Sequence, residues 1–240
     1  CFGGAGNVVN SDRYGPLSQV YGAATAAQII TIGCGSSFPR IENRNADDDG
    51  QYGVALRYYS EALGNTDFAF YFLNYHSRLP LLSGRAVTGT SANTGRSFVE
   101  YPEDIQMFGM SWNTSLPGGV AWQGEISHRP NMPLQVDDVE LLFAGLTPLN
   151  AFIAPQALQF SSQLGNYTFG QEVRGWREHE VTQVQMTFTK AFSEVLGANQ
   201  VALVGEIGAT EVWDLPDQSV LRYEGEGTDT GGGASVANYT

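Results

Sequence analysis

Few residues in this sequence have the types and spacing that catalysis requires. The three histidines are His76, His128 and His179. His179 and Glu180 are not followed by the second histidine that would complete a His-Glu-x-x-His zinc helix, and no Gly-x-Ser-x-Gly nucleophile motif occurs. Carboxylate pairs could act as acid and base, but 25 acidic residues produce such pairs by chance. We therefore expect no enzymatic activity and no cofactor.

An acidic run, Asp47-Asp48-Asp49, stands directly before Gly50. Clustered carboxylates followed by a glycine can supply oxygen ligands to Ca²⁺, although the spacing here is not that of an EF-hand loop. The alternative is a solvated acidic turn that ends where a strand begins. We expect no metal centre and keep Asp47, Asp48 and Asp49 as a weak calcium candidate.

A second set of polar residues falls inside segments that alternate between apolar and polar positions. Its members are Arg57, Asn74, His76, Arg78, Glu125, Arg129 and Glu206. An arginine or lysine facing lipid costs about 2–4 kcal/mol at mid-membrane depth, so we expect these side chains to point into an enclosed lumen. There they would line a selective passage or hold a ligand, or else fill a closed barrel with internal salt bridges.

Three phenylalanines are expected on the same side as Asn74 and His76, namely Phe68, Phe70 and Phe72. Aromatic side chains in a lumen would suit a passage for apolar molecules. They could equally be strand packing near a turn.

The polar residues belong to a unit that occurs three times: an alternating run, a tight turn and a second alternating run. The units are Gln51–Tyr59 with Asp67–Arg78, Asp104–Thr114 with Val120–Arg129, and Val181–Ala191 with Gln200–Trp213. Side chains of a strand point alternately to opposite faces, so each unit predicts an antiparallel hairpin. The connections between units, Leu79–Glu103 and Pro130–Glu180, are long and rich in loop-forming residues.

Short turns at one end and long loops at the other are typical of an outer-membrane β-barrel. We therefore predict an all-β fold, an antiparallel up-and-down transmembrane β-barrel. Strands of about 9–12 residues with aromatics near their ends favour lipid, whereas alternation alone also fits a soluble β-sandwich. Acidic residues followed by helically spaced apolar ones also predict one short helix over Val136–Leu146, lying over or into the barrel mouth.

Six strands are too few to close a membrane barrel, whose smallest members have eight. The sequence also lacks an initiating methionine and a signal peptide. We therefore expect a mature piece or an internal segment of a longer chain, forming one partial barrel domain. Within it, residues 1–50 form a loop region, residues 51–214 the three hairpins and residues 215–240 a glycine-rich loop.

Composition agrees with a β-rich protein and excludes one class of partner. Charged residues make up 15% of the 240 residues, while glycine (29) and phenylalanine (13) are abundant. The net charge of −13, with no cluster of lysine or arginine, argues against nucleic acid. No apolar run is long enough for a spanning helix.

The two cysteines, Cys1 and Cys34, both lie in the glycine- and serine-rich first 50 residues. In an oxidising compartment they would form a disulfide that stabilises the fold by roughly 2–4 kcal/mol. The alternative is a pair of free thiols. We predict the disulfide, since the strands contain no other cysteine.

Five segments of this sequence resemble a family of Gram-negative outer-membrane proteins known as domain of unknown function 1302. The segments are Gly50–Tyr58, Asn74–Pro80, Phe98–Ile105, Gly124–Asn131 and Leu203–Gly208. The resemblance implies a larger β-barrel of which this chain is an interior portion. It also implies a role in handling hydrophobic compounds alongside an envelope export or uptake system, and it brings no catalytic residues.

These observations predict a bacterial outer-membrane barrel for the passage or uptake of small hydrophobic molecules, gated by Pro130–Glu180. Its expected partners are outer-membrane lipid, lipopolysaccharide and the solutes themselves. A non-conducting structural or adhesive surface barrel is the first alternative. A soluble, secreted β-sandwich that binds carbohydrate is the second.

Overall fold

The alternating segments form strands, and most of the described chain is antiparallel β-structure. The computed structural model describes residues 38–153, 159–195 and 197–224. The strands are β1 (Tyr52–Ser60), β2 (Thr66–Tyr75), β3 (Leu81–Arg85), β4 (Arg96–Glu100), β5 (Ile105–Leu116), β6 (Val120–Gln135), β7 (Glu172–Val173), β8 (Trp176–Val195) and β9 (Ala198–Trp213). The helices are α1 (Asp138–Leu146) and two 3₁₀ segments, Ala92–Thr94 and Thr147–Phe152.

Six strands form one meander in the order β1-β2-β5-β6-β8-β9, and every neighbouring pair is antiparallel. The three short connections therefore lie at one end of the sheet, here named the turn end. Asn65 (φ 58°) and Gly118 (φ 87°) adopt the left-handed conformation that such tight turns require. This architecture confirms the predicted all-β class. Among the described strands, β1 and β9 are the two edges of an open sheet.

The register gathers the apolar side chains of all six strands on one side. Directly opposed residues of an antiparallel ladder share a face. The apolar face comprises Tyr52, Val54, Leu56, Tyr58, Phe68, Phe70, Phe72, Phe108, Met110, Trp112, Trp122, Gly124, Ile126, Val184, Met186, Phe188, Leu203, Gly205, Ile207 and Ala209. The opposite, polar face carries Arg57, Asp67, Tyr71, Ser111, Asn113, Gln123, Glu125, Gln185, Thr187 and Glu206.

Aromatic rings pack across the strands on the apolar face near the turn end. Trp112 opposes Gly124, and its indole occupies the space where a side chain at that glycine would project. Trp112 meets Trp122 edge-to-face at 5.3 Å between ring centroids, and Trp122 stacks on Phe188 at 6.1 Å. Such pairs add roughly 0.5–1.5 kcal/mol each beyond the area they bury.

The long connections fold into a second unit, here named the cap, at the other end of the sheet. It contains the sheet β4-β3-β7, helix α1 and the 3₁₀ segment after it. The side chain of Asp137 accepts from the backbone N–H groups of Val139 (2.9 Å) and Glu140 (3.2 Å), which caps α1 and confirms the predicted short helix. Two buried clusters form its core: Phe38, Val87, Leu146 and Leu149, and Ala86, Leu141, Ala144 and Val173.

The cap corrects the expectation that Leu79–Glu103 and Pro130–Glu180 are loops. Strands β3 and β4 lie within the first connection, while β6 continues to Gln135 and β8 begins at Trp176. Strand β3 from the first connection pairs with β7 from the second, so each connection supplies the other's backbone hydrogen bonds. Among the described residues, no helix is long and apolar enough to cross a membrane.

Candidate functional site

The polar face carries a concave site of about 430 Å³ near the turn end. Five neighbouring strands supply its walls, because the two-residue period of a strand repeats the same side at each of them. Its lining is Arg57, Asp67, Phe68, Ala69, Tyr71, Ser111, Trp112, Asn113, Gln123, Gly124, Glu125, Gln185 and Thr187. Most of these side chains are hydroxyls, amides or charged groups, so the site offers hydrogen bonds to a solute.

Three charged residues of this site are exposed to solvent. Arg57 lies across β2 and β5 from Glu125 in a single cross-strand row, and Asp67 lies in the next row toward the turns. In the described part of the chain, none of Arg57, Asp67, Glu125 and Glu206 forms an ion pair. Their charges are therefore available to a solute.

The cross-strand register places four of the seven predicted lumen-lining residues on the polar face and the other three elsewhere. Arg57, Glu125, Arg129 and Glu206 share the polar face. Arg129 donates to the hydroxyls of Tyr75 (3.3 Å) and Ser127 (3.2 Å). These four residues occupy the face on which the sequence pattern placed them.

Asn74 and His76 do not share that face, which corrects the prediction. Asn74 lies on the apolar side of β2, beyond its last phenylalanine, and donates to the carbonyl of Gly50 (3.0 Å) and to Asp104 (2.9 Å). His76 follows the end of β2; it accepts from the backbone N–H of Asp104 (3.1 Å) and contacts the carbonyl of Asp49 (2.7 Å). Both side chains are buried and fasten the chain before β1 to the chain before β5.

Arg78 also lies beyond the end of β2 and therefore on neither face of the sheet. It borders a separate cavity of about 410 Å³ together with Asp47 and Asp48. The backbone N–H of Asp47 donates to Glu103 (2.8 Å). Within the described ranges, no group of three or more histidine, cysteine or acidic side chains could hold a metal ion. Cys1 and Cys34 lie outside the described residues.

Phe68, Phe70 and Phe72 are on the apolar face, opposite Tyr58 and Leu56 among others. They share this face with Asn74, as expected, and Phe72 packs against Phe108 with 5.0 Å between the ring centroids. Asn74 is the residue from which the sequence pattern assigned this side of β2 to the polar face. Because Asn74 lies just beyond the apolar segment, that assignment of the side was wrong. Of the aromatic residues of β2, Phe70 and Phe72 do not border the concave site, whereas Phe68 and Tyr71 do.

The sequence pattern did not identify two buried carboxylates in the cap. Glu100 accepts from Ser83, from the indole of Trp176 (2.8 Å) and from Arg44 (3.1 Å). Arg44 also pairs with Glu172 at 2.9 Å, which lowers the pKa of the Glu172 carboxyl and raises the pKa of Arg44. The visible signal was a lone glutamate at the end of the apolar segment Phe98-Val99.

Glu140 is the second buried carboxylate and is fully inaccessible to solvent. It pairs with Arg222 and accepts from the backbone N–H of Gln163 at 2.7 Å. Burial raises the pKa of the neighbouring Asp137, and the two backbone N–H groups that it caps oppose the shift. These contacts fasten the segment after β9 to helix α1, which is a structural role.

The other two histidines are also held by structural partners. His128 lies 3.0 Å from the hydroxyl of Thr182 on the neighbouring strand, and His179 lies 2.6 Å from the hydroxyl of Tyr223. Burial raises the pKa of the Tyr223 phenol. The three imidazoles therefore occupy three separate places in the fold.

Comparison with known proteins gives one match. The family model described as "Protein of unknown function (DUF1302)" matches residues 4–239. Neither the curated proteins nor the solved structures contain a match to the chain. Because the matched range covers nearly the whole sequence, this chain belongs to the DUF1302 family.

Proposed function

We propose that the chain is part of a β-barrel in a bacterial outer membrane, with its apolar face against lipid and its polar face around a passage for small molecules. The observation that carries the proposal is the bare apolar face. Phe108, Phe70 and Ile126 lie on interior strands, and they are 49%, 43% and 37% exposed although their neighbours on that face are apolar too. A soluble protein would cover such residues, since burying each contributes about 1.5–3 kcal/mol.

The exposed apolar side chains form a band across this face, which on β8 runs between Thr182 and Lys190. Where β8 extends beyond this band, protein covers part of the same face. Trp176 is an even number of residues away from Thr182 and Val184 along β8, so its side chain points to the same side of the strand as theirs. It is only 8% exposed, because the cap packs against it. Outside the band, this side of β8 thus carries a tryptophan that the cap buries and two exposed glutamates, Glu178 and Glu180, whereas the apolar side chains within the band remain uncovered.

Polar residues limit the band at heights that suit a membrane. On β2 the limits are Thr66 and Asn74, and on β8 they are Lys190 and Thr182. Each pair is eight residues apart in the sequence. Eight residues span about 27 Å along a strand, or about 21 Å along the membrane normal at a tilt of about 40°. Outer-membrane barrels have an apolar band about 25 Å tall.

The band also slants across the sheet. Through the ladders of β5 and β6, Thr182 lies level with Phe72, two residues nearer the turn end than Asn74. Over three strand spacings of about 4.8 Å, this displacement of about 7 Å gives a slant of about 25°. Tilted strands in a flat bilayer produce a slant of this kind, which supports a membrane over a soluble sandwich.

The solutes that we propose are small molecules with an apolar body and a polar group. The apolar part rests on the family resemblance, and the polar part rests on the hydrophilic site around Arg57 and Glu125. Closure of the barrel requires strands beyond the six described, since an open edge in lipid costs several kcal/mol per unpaired peptide group.

A non-conducting surface barrel is the second candidate, and the cap favours it. Two hydrophobic clusters and the buried Glu100 and Glu140 make the cap a packed unit rather than a set of free loops. A packed cap at the end of a barrel would obstruct a passage unless it moves. Permeability separates the two candidates.

Membrane insertion can be tested with neighbouring residues of β9. We expect Ile207→Arg, on the apolar face, to lower stability in a bilayer by about 2–4 kcal/mol. Gly208→Arg, on the polar face, is the matched control and should insert as the wild type does. Urea titration in lipid vesicles, read by tryptophan fluorescence, measures both. Equal tolerance of the two substitutions would contradict the proposal.

Passage can be tested with neighbouring residues of β5. Ser111→Trp places an indole in the concave site, whereas Met110→Trp adds one to the apolar face. In liposome uptake assays of the reconstituted protein, we expect the first variant to slow solute entry and the second to leave it unchanged. Wild-type vesicles no more permeable than empty vesicles would refute passage and favour the non-conducting barrel.

A further inference from the structure

Lys190 has a singular position on the apolar face. It is the only lysine in the sequence and the only lysine or arginine on that side of the described six-stranded sheet. It opposes Val120 on β6 and Leu203 on β9, so apolar residues flank it on both sides. It lies at the turn-end limit of the band, just beyond the Trp122–Phe188 stack.

The ammonium group has no carboxylate partner in the described part of the chain. Its one defined contact is with the ring of Phe192, whose centroid lies 5.0 Å from Nζ. A lysine stem can lie along an apolar surface while its ammonium reaches a polar layer. From the middle of the band toward the turn, this side of β8 therefore presents Val184 and Met186, then Phe188, then the cation of Lys190, with Phe192 one step further out.

That order matches the layers of a phospholipid leaflet: acyl chains, interfacial region and headgroup phosphate. We propose that Lys190 binds the phosphate of a phospholipid in the leaflet at the turn end, while Trp122, Phe188 and Phe192 contact the interfacial part of the same lipid. This inference rests on the proposed membrane location of the apolar face. The opposite limit of the band carries Thr182 and Glu211, so it offers no equivalent cation on β8 or β9.

The test uses the full chain in dodecyl maltoside micelles titrated with phosphatidylglycerol, with bound lipid counted by native mass spectrometry. Lys190→Gln should weaken the affinity about fivefold, the equivalent of the about 1 kcal/mol that one lysine contributes at an anionic surface. Lys190→Arg should remain within about twofold of the wild type, since the charge is kept. Inorganic phosphate should not compete, which distinguishes a lipid site from a free-anion site.

A matched variant moves the lysine to the other face at the same depth. In K190Q/T189K the cation stands one residue away on the polar side, and we expect it not to restore lipid affinity. Unchanged affinity in K190Q, restored affinity in the double variant or competition by inorganic phosphate would each overturn the inference. Resistance of the wild type to alkaline extraction from vesicles tests the membrane location separately, so the two failures can be told apart.

Discussion

The contact between Trp112 and Gly124 allows a sharp test of how the apolar face is packed. A Cβ atom at Gly124 would stand 2.1 Å from Cζ2 of Trp112, well inside van der Waals contact. Trp112 is only 9% exposed and lies against Trp122, so its ring has little space to move into. We expect Gly124→Ala to lower the free energy of unfolding by about 1–3 kcal/mol, the usual cost of overpacking.

Gly205 provides a matched control on the same face. It occupies the same place in a Gly-Glu-Ile tripeptide, yet nothing lies within 4 Å of the point that a methyl group on its Cα would occupy. Gly205→Ala should be neutral or stabilise the protein by up to about 1 kcal/mol, because it reduces the entropy of the unfolded chain. Replacing Trp112 by leucine should abolish most of the penalty at Gly124.

The assay is urea unfolding in lipid vesicles, followed by the fluorescence of Trp122 and the remaining tryptophans. Gly124→Ala should shift the midpoint downward while Gly205→Ala does not. Equal midpoints for the two variants, or a penalty at Gly124 that survives Trp112→Leu, would show that the cross-strand register is wrong.

Three further predictions concern the cap. Glu140→Gln should destabilise the cap by about 3 kcal/mol in chemical denaturation, because it removes the fully buried carboxylate from its ion pair with Arg222; a loss under about 0.5 kcal/mol would contradict this. Asp137→Asn should keep stability at pH 7 because it caps α1 without a desolvated charge, whereas Asp137→Ala should lose about 1 kcal/mol in the same assay. The pairing with Arg44 lowers the pKa of Glu172 below its ordinary 4.5. The stability that this pair contributes to the cap is therefore complete above that value and is lost as pH falls through the folded pKa. Acid titration of cap unfolding should show this loss in the wild type and not in Arg44→Gln.

Sequence reasoning found the hairpins because alternation is a local signal. It placed β8 at Val181–Ala191, while the strand extends from Trp176 to Val195. The missing residues at its start are Trp176 and the polar run Arg177–Glu180, in which both faces are hydrophilic and no alternation marks a strand. The helix was found because two aspartates and a periodic apolar segment mark its first turn locally.

The cap could not be predicted because its contacts are distant in sequence. Gly84 pairs with Val173, and Glu140 pairs with Arg222, across separations that no local pattern reports. The misplaced side of Asn74 has a different origin. Between Phe68 and Leu73 both faces of β2 carry apolar residues, so polarity alone cannot assign the side; only the cross-strand register does.

The central claim is that one face of the sheet meets lipid and the other an enclosed aqueous space. Spin labels placed one at a time from position 203 to position 210 on β9 test it most directly, with collision rates measured for oxygen and for a water-soluble nickel complex in a bilayer. We expect labels at Leu203, Gly205, Ile207 and Ala209 to favour oxygen and those at Val204, Glu206, Gly208 and Thr210 to favour nickel. Uniform nickel access at all eight positions, or the reverse alternation, would contradict the claim.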